Sequence, residues 1–446
     1  MSGKKKVLII SYYWPPSGGS GVQRWLKIVK YLNNLGWEPI VYTPENPEYP
    51  EIDTTLLSDI PASLKVLKQP IWEPYHFYKM LVGLKKDDKI GAGFMSEKKK
   101  IGITEKISVW LRGNLFIPDA RMLWIKPSVK FLSHFIDQEP GIKAIISTGP
   151  PHSMHLIAQR LHQRTGIPWL ADFCDPWTSI DFYNQLQLTY FADKKHRRLE
   201  RNVLQSATKV VVVTRTMASE FEQLYPRKYD IVTNGFDHAD INLLSNEPAD
   251  TKFSLSHIGS LVPSRNPAIL WKTLQLMVNK DLEFANDLEI KLVGKVDHSI
   301  LEAIESAGLT SFVRRINYLP HDKALEETRK SRVLLLLINQ TPNAKGILTG
   351  KLFEYLAVKK PILCIGPCDG DVAEVLSETQ SGYVCDFDDS ESLEKYIKEY
   401  YADYRNGKQL YSPSNINYFS WEYLAGMIST HLDEITTTST TAEAAH

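Results

Sequence analysis

The sequence of 446 residues predicts an α/β protein built from two Rossmann-like, doubly wound domains that face a cleft. Three observations support this fold class: short continuous apolar runs, helix-like segments between them, and a second series of both after a polar stretch at 237–252. Continuous apolar runs are typical of parallel strands that are buried on both faces. Strands that alternate with helices form parallel sheets, and the chain is long enough for two such domains.

The first predicted domain starts with a strand at 7–11 and a helix at 22–34, which Gly36 ends. Further strands are predicted at 39–43, 144–148, 169–173 and 209–214. Residues 75–127 interrupt the pattern with aromatic residues and pairs of lysines. We interpret this interruption as a loop-rich insertion with a solvated charged face; contact with an acceptor or a membrane surface is the alternative.

The second predicted domain has strands at 255–258, 289–293, 333–338, 361–365 and 382–384, with helices at 267–278, 299–307 and 323–330. A helix at 388–401 has a capping residue in Asp389 or Ser390. We therefore expect an N-terminal domain at 1–248 and a C-terminal domain at 249–415. A last helix at 416–434 is expected to pack back on the N-terminal domain, before a disordered tail at 435–446.

Composition excludes several classes of protein. Lysine plus arginine and aspartate plus glutamate both total 52, so no global field attracts nucleic acid. The four cysteines have neither metal-binding nor redox spacing, which favours a reducing compartment. The chain has no apolar run long enough to span a membrane, and we expect a cytoplasmic protein. No metal site is predicted, because the acidic pair at 388–389 is better interpreted as a helix cap.

Polar clusters follow three predicted strands of the first half. Gly18 and Gly19 lie in a loop before the first helix, where backbone amides can approach a phosphate. Their spacing does not match GxGxxG, and a plain glycine-rich turn is the alternative. His152 lies at a strand-to-helix junction, although a single histidine is more often structural. Asp172 and Asp175 could position sugar hydroxyls or serve as a base, although Asp175, which precedes Pro176, could simply start a turn.

The second half contains the stronger signals. Gly259 and Arg265 lie in a loop before a helix, and the planar donors of arginine suit a diphosphate. Gly294 ends another strand. Lys351 and Glu354 stand three residues apart, so on a helix they project from one side. The carboxylate can accept from ribose hydroxyls and the ammonium can attract phosphate, whereas a surface ion pair is the simpler alternative.

These segments, in this order, resemble the GT-B glycosyltransferases, in particular the retaining nucleotide-sugar transferases of family 4. The resemblance covers residues 6–434. The segments that carry it are the glycine loop, ADFCDPW at 171–177, ATKVVVVT at 207–214, IVTNGFD at 231–237, HIGSLVPSRNP at 257–267 and KLFEYLAVKKPIL at 351–363.

The resemblance implies roles for the matching positions. Gly18 and Gly19 would border the phosphates of a nucleoside-diphosphate sugar, and His152 would lie near the transferred sugar. Arg265 would contact the diphosphate, and Glu354 would bind ribose. The donor site would thus lie in the C-terminal domain and the acceptor side in the N-terminal domain.

Two positions depart from the family pattern. The first glutamate of the family's glutamate pair would fall at Gly346, and the arginine that often follows the glycine of the phosphate loop is Ser260 here. Lys351 or Lys345 is therefore expected to share the stabilisation of the diphosphate.

The resemblance implies a metal-independent hexosyltransferase-like enzyme that moves a sugar to a hydroxyl acceptor. A lipid-linked saccharide and a peripheral contact with the inner face of the membrane are expected, as in the assembly of cell-envelope or capsular polysaccharide. A retaining route needs no protein base, whereas an inverting route would use His152 or Asp175. The alternatives are a sugar-nucleotide epimerase, a non-catalytic nucleotide-sugar-binding protein and, less favoured without GxGxxG, an NAD(P) oxidoreductase with Glu45 as its ribose ligand.

Overall fold

The computed structural model describes residues 4–49, 51–73, 103–242, 247–407 and 413–443; for Ser20, 103–108 and 438–443 it describes the backbone only. The chain forms two compact units. The first contains Met1–Thr233 together with Trp421–His446, and the second contains Asn234–Ser420. The boundaries predicted from the sequence were 248 and 415.

The first unit contains a seven-stranded sheet in the order β3-β2-β1-β4-β5-β6-β7, and every neighbouring pair is parallel. The strands are β1 Lys5–Ile10, β2 Trp37–Pro44, β3 Lys65–Gln69, β4 Ile142–Gly149, β5 Trp169–Phe173, β6 Lys209–Val212 and β7 Asp230–Ile231. The helices before the second unit are α1 Ser20–Leu32, α2 Ile103–Leu115, α3 Ile125–Gln138, α4 Ser153–Thr165, α5 Tyr190–Ser206 and α6 Arg215–Leu224.

Strand β1 shows why the apolar runs of the sequence become central strands. Leu8 and Ile10 are buried in one hydrophobic core, whereas Val7 and Ile9 are buried in another. Successive side chains of a strand point to opposite faces, so both faces of this sheet are covered by helices.

The second unit contains a six-stranded parallel sheet in the order β10-β9-β8-β11-β12-β13. Its strands are β8 Phe253–Ile258, β9 Leu288–Val293, β10 Val313–Ile316, β11 Val333–Leu337, β12 Ile362–Ile365 and β13 Gly382–Cys385. Its helices are α7 His238–Asn242, α8 Ala268–Lys280, α9 Leu282–Asp287, α10 His298–Ser306, α11 His321–Lys330, α12 Gly350–Ala357, α13 Asp371–Thr379 and α14 Ser390–Arg405. The predicted fold class of two Rossmann-like domains is confirmed.

The last helix, α15 (Trp421–Glu443), belongs to the first unit and packs against α1. Its apolar stripe repeats every four residues and is buried with α1 in one core, through Leu424, Ile428 and Leu432. The expected disorder after residue 434 is corrected for 435–443, which continue the helix. Ile435 is buried in the same core, so the apolar stripe extends beyond the predicted end.

The insertion at 75–127 also differs from expectation. Residues 74–102 lie outside the described residues. The remainder is not loop-rich, because α2 and the start of α3 lie within it. Tertiary contacts explain this helicity: α3 packs against α4, and Gly113 of α2 lies close to Leu186 and Leu188.

Candidate functional site

In the second unit, the predicted site residues follow strands that are neighbours in the sheet. Gly259 follows β8, Gly294 follows β9, and the loop after β11 leads into α12, which carries Lys351 and Glu354. Parallel strands end at one edge, so these segments leave the sheet side by side.

Gly259 and Gly294 allow the segments at this edge to pack closely, because neither position has room for a side chain. Both have φ in the left-handed region, at +107° and +113°. A Cβ atom on Gly259 would lie 2.6 Å from Nζ of Lys351, and one on Gly294 would lie 3.0 Å from the carbonyl carbon of Gly259. Their N–H groups donate to the carbonyl oxygens of Val293 (2.7 Å) and Ile316 (2.8 Å). Glycine thus allows the ammonium of Lys351 to lie directly on the backbone.

Lys351 lies in a mostly buried, cationic environment. Burial and the nearby guanidinium of Arg265 lower the pKa of Lys351 to about 8, while Glu354 opposes the shift. Its Nζ is 3.4 Å from Nε2 of His257. Burial, and then Lys351, lower the pKa of His257 to about 3, so this imidazole is neutral. Its Nδ1 lies 3.3 Å from the carbonyl oxygen of Leu335, which assigns the proton to Nδ1 and leaves Nε2 to accept from Lys351.

The N-terminus of α12 adds backbone donors to this cationic environment. Thr349 is the N-cap residue, yet its hydroxyl forms no capping hydrogen bond. The Oγ1 atom is buried and has no hydrogen-bond partner within the described parts of the chain. A Cβ atom on Gly350 would meet no atom within 4 Å, so space lies open at this helix end. A helix N-terminus with adjacent cations attracts anions.

Arg265 ends a 3₁₀ turn at Pro263–Arg265, where its Nε donates to Oδ1 of Asn339. Asn339 follows β11, so this bond ties the loop after β8 to the segment that leads into α12. The arginine lowers the pKa of both Lys351 and His257, which shows that its charge acts on this edge.

Glu354 lies one helical turn beyond Lys351. About 40% of its side chain is exposed, and its Oε1 is 4.0 Å from Nδ1 of His321, the first residue of α11. Desolvation of the carboxyl raises the pKa of Glu354, whereas the nearby His321 and Lys351 lower it. His257 opens the predicted motif at 257–267 but was given no role of its own, and His321 and Thr349 were missed. Of the two missed residues, Thr349 had a recognisable signal, a threonine directly before a helix.

A cavity of about 420 Å³ lies further along the same edge of the sheet, among the segments that follow β11, β12 and β13. Its wall contains Thr341, Pro342, Ala344, Lys345, Pro367, Cys368, Asp369, Asp386 and Phe387. Lys345, expected as an alternative phosphate ligand, forms an ion pair with Asp369 there. The wall of the cavity contains neither Lys351 nor Arg265, so we place the candidate site around Lys351 and not in the cavity.

In the first unit, the predicted residues follow β1, β4 and β5, which are also neighbours. The loop with Gly18 and Gly19 is bordered by acidic residues. Gly18 donates to the carbonyl oxygen of Glu51 (3.0 Å), and a Cβ atom on it would lie 3.3 Å from Cβ of Asp53. The carboxylate of Glu51 lies 4.0 Å from the Cβ position of Gly19. Close packing accounts for Gly18, a left-handed φ of +90° accounts for Gly19, and the negative charge disfavours phosphate.

His152 precedes α4 and stacks on Trp177, with ring centroids 4.6 Å apart and an interplanar angle of 1°. Burial, and then His155 and His196, hold the pKa of His152 well below its usual value, so the ring is neutral. The N-terminus of α4 is already occupied, because Asp119 accepts from both the N–H and the hydroxyl of Ser153 at 2.8 Å.

The two aspartates after β5 have different environments. Asp172 is fully buried, with Nε and an Nη atom of Arg24 at 3.0 and 2.7 Å and the indole N–H of Trp25 at 2.7 Å. Burial alone would raise its pKa, but Arg24 and these bonds hold the pKa below its usual value. Asp175 is exposed. Packing around its carboxyl and the neighbouring Asp181 raise the pKa of Asp175 to about 7.

Two parallel, doubly wound sheets agree with the GT-B fold that the sequence predicts, and comparison with known proteins supports this fold. Residues 107–235 match the family model described as a glycosyl transferase 4-like domain. No curated protein matches the chain in sequence. The chain therefore has the GT-B fold, and its residues 107–235 resemble a glycosyl transferase 4-like domain.

Solved structures are similar over nearly the whole chain. A sucrose-phosphate synthase from Thermosynechococcus elongatus has a TM-score of 0.58 at 13% identity, covering 98% of this chain and 100% of its own. Anabaena HepE in complex with UDP-glucose has a TM-score of 0.53 at 12% identity, covering 99% and 100%. A UDP-GlcNAc 2-epimerase from Methanocaldococcus jannaschii has a TM-score of 0.51 at 10% identity, covering 96% and 99%. At these identities the likeness shows the fold alone.

Within the described residues, no helix is both long and apolar enough to cross a membrane. The same part of the chain contains no cluster of histidine, cysteine and carboxylate side chains that could hold a metal ion.

Proposed function

We propose that this glycosyltransferase moves a hexose-like sugar from a nucleoside-diphosphate sugar to a hydroxyl acceptor, without a metal ion. The observation that carries the proposal is the anion-binding arrangement at α12. There the ammonium of Lys351 and the unbonded hydroxyl of Thr349 lie at an open helix N-terminus, and the guanidinium of Arg265 is near enough to lower the pKa of Lys351. A diphosphate is the part of such a donor that these groups suit.

The residues of the second unit would then act on the leaving group. Arg265, Lys351 and the amides of α12 neutralise the charge that develops on the diphosphate when the bond to the sugar breaks. Gly259 and Gly294 allow the phosphates to approach the backbone, and Glu354, one turn further, accepts from ribose hydroxyls. Lys345 is less suitable because of its ion pair with Asp369.

In the first unit, His152 is proposed to contact the transferred sugar. A retaining reaction, in which the leaving diphosphate takes the proton of the acceptor, needs no protein base. If the reaction inverts, Asp175 is the proposed base, because its side chain is exposed just after the end of β5. Gly18 and Gly19 stay a weaker proposal for phosphate contact, because carboxylates border them.

We further propose a cytoplasmic enzyme that meets a lipid-linked saccharide at the membrane, in cell-envelope or capsular polysaccharide assembly. The outer face of α5 supports a peripheral contact. Tyr190 and Phe191 are 71% and 81% exposed, and Lys194, Lys195 and Arg198 are exposed beside them. Exposed aromatic and basic side chains on one helix suit an anionic bilayer surface.

Purified protein incubated with a panel of radiolabelled nucleotide sugars, with and without membrane-lipid extract, tests the transferase proposal. We expect acceptor-dependent release of nucleoside diphosphate from one donor. Glu354→Ala and Arg265→Ala should abolish this release, while the control Lys345→Ala, whose lysine is paired away from the site, should retain it. An altered sugar nucleotide without diphosphate release would favour the epimerase. Tight binding of a nucleotide sugar without turnover would favour a binding protein.

A further inference from the structure

A second buried histidine lies directly behind His152. His155 is fully buried on the first turn of α4, and the two ring centroids are 5.8 Å apart. Nδ1 of His152 and Nε2 of His155 are both buried, and neither has a hydrogen-bond partner within the described residues. A Cβ atom placed on Gly149 would lie 3.0 Å from the first nitrogen and 2.5 Å from the second. The two nitrogens therefore face the same small space, which exists because residue 149 has no side chain.

Hydrogen bonding on the far side of His155 sets its tautomer. Oγ of Ser147 lies 2.8 Å from the indole Nε1 of Trp169 and 2.8 Å from Nδ1 of His155. Tryptophan only donates, so Ser147 accepts from Trp169 and its own proton is available for Nδ1. His155 then carries its proton on Nε2. The opposite tautomer would leave the hydroxyl proton of Ser147 buried without an acceptor, and burying an unpaired donor costs free energy.

With this tautomer, one of the two unbonded nitrogens carries a proton and can donate it to the lone pair of the other. The Nε2–H group of His155 donates toward the space where Nδ1 of His152 holds a lone pair, either directly after a small ring movement or through a water molecule. Burial lowers the pKa of both histidines, that of His155 to about 3, so neither ring needs to be treated as a cation. The stacked indole of Trp177 fixes the plane of the His152 ring.

We propose that His155 is a positioning residue that holds His152 in the tautomer with its proton on Nε2. His152 then offers a hydrogen-bond donor to its ligand and no lone pair. An oxygen of a sugar suits such a donor. In this tautomer His152 cannot remove the proton of an acceptor hydroxyl. An inverting reaction would therefore depend on Asp175 and not on His152. This consequence for the reaction rests on the proposed function, whereas the tautomer itself does not.

Nitrogen NMR of protein labelled with ¹⁵N-histidine tests the proposal without any turnover. The side-chain signals of His152 are assigned by their loss in His152→Gln. We expect Nε2 of His152 in the wild type to have the shift of a protonated ring nitrogen and Nδ1 that of an unprotonated one, unchanged between about pH 6 and about pH 8. The reverse pattern, or two tautomers in comparable amounts, would overturn the proposal.

Variants separate positioning from simple packing. His155→Leu removes the donor and should give a mixture of tautomers at His152, whereas His155→Gln retains an N–H group near the position of Nε2 and should restore the wild-type pattern. Ser147→Ala, a smaller change, should also give a mixture because it releases the tautomer of His155. Near-ultraviolet circular dichroism checks that each variant is folded. A wild-type pattern in folded His155→Leu and Ser147→Ala would refute the role of His155, whatever the activity assays give.

Discussion

The lowered pKa of Lys351 makes a quantitative prediction about the binding of nucleoside diphosphates. In the free protein its pKa is about 8, because the ammonium is buried near Arg265. A bound diphosphate adds negative charge and favours the protonated form, so above pH 8 each binding event must take up a proton. Protonation falls from about nine-tenths at pH 7 to about one-tenth at pH 9, which predicts an approximately tenfold increase in Kd, or about 1.4 kcal/mol.

Isothermal titration calorimetry with UDP, GDP and ADP at these two pH values measures the change. Repeating the titrations in buffers with different ionisation enthalpies counts the protons taken up. Lys351→Arg is the matched control, since arginine stays charged throughout this range and any remaining pH dependence belongs to the nucleotide. Lys351→Met should bind weakly at both pH values.

Other groups at this edge do not produce the same profile. His257 has a pKa of about 3 and stays neutral from pH 7 to pH 9, and Arg265 stays charged. The reasoning would be refuted by a wild-type affinity that is independent of pH, or by a tenfold weakening that persists in Lys351→Arg.

Three further predictions concern stability and the first unit. Gly259→Ala forces a Cβ atom against Lys351 at φ +107°, and should lower the free energy of unfolding by about 1–3 kcal/mol. The control Gly350→Ala, where space is open, should change it by less than about 1 kcal/mol. Equal melting curves for the two variants would contradict this prediction. Arg24→Met leaves Asp172 buried without its cation and should cost about 3–5 kcal/mol in urea unfolding. Because the folded pKa of Asp172 is lowered, the stability from this pair is present above the unfolded pKa and lost as the pH falls through the folded one, so the difference from wild type should shrink in acid. His152→Ala should slow transfer at least tenfold while leaving the Kd of the nucleoside diphosphate unchanged; a weakened Kd would place His152 in donor binding.

The fold could be predicted from the sequence because its signals are local. Apolar runs of strand length and the helical spacing between them persist in the structure: the strand predicted at 169–173 is β5, and that predicted at 361–365 contains β12. Helix ends were predictable where a side chain caps its own helix, as Asp389 does by accepting from the N–H of Ser392. Beyond residue 434, the burial that continues α15 depends on α1, about 400 positions earlier in the chain.

The candidate site was predictable only in part, for the same reason. Gly259, Arg265 and Lys351 lie in recognisable motifs, and the structure brings them to one edge. No local pattern reveals that Arg24 pairs with Asp172, because the two residues are 148 positions apart in the chain. The roles of His257 and His155 likewise depend on hydrogen bonds with Leu335 and Ser147, which only the folded chain defines.

The polar edges of the two sheets differ in charge, although both sheets are parallel and doubly wound. In the first unit, Arg24 is neutralised by Asp172, Asp119 occupies the N-terminus of α4, and Glu51 borders the loop before α1. In the second unit, Lys351 instead bonds to a neutral histidine, and the N-terminus of α12 is open. A diphosphate needs cations and unbonded donors, so the second edge suits it and the first does not. The first edge offers neutral imidazole and indole groups and an exposed carboxyl, which suit uncharged hydroxyl groups. This difference in charge supports the proposal that the second unit binds the diphosphate and that the first unit binds sugar hydroxyls.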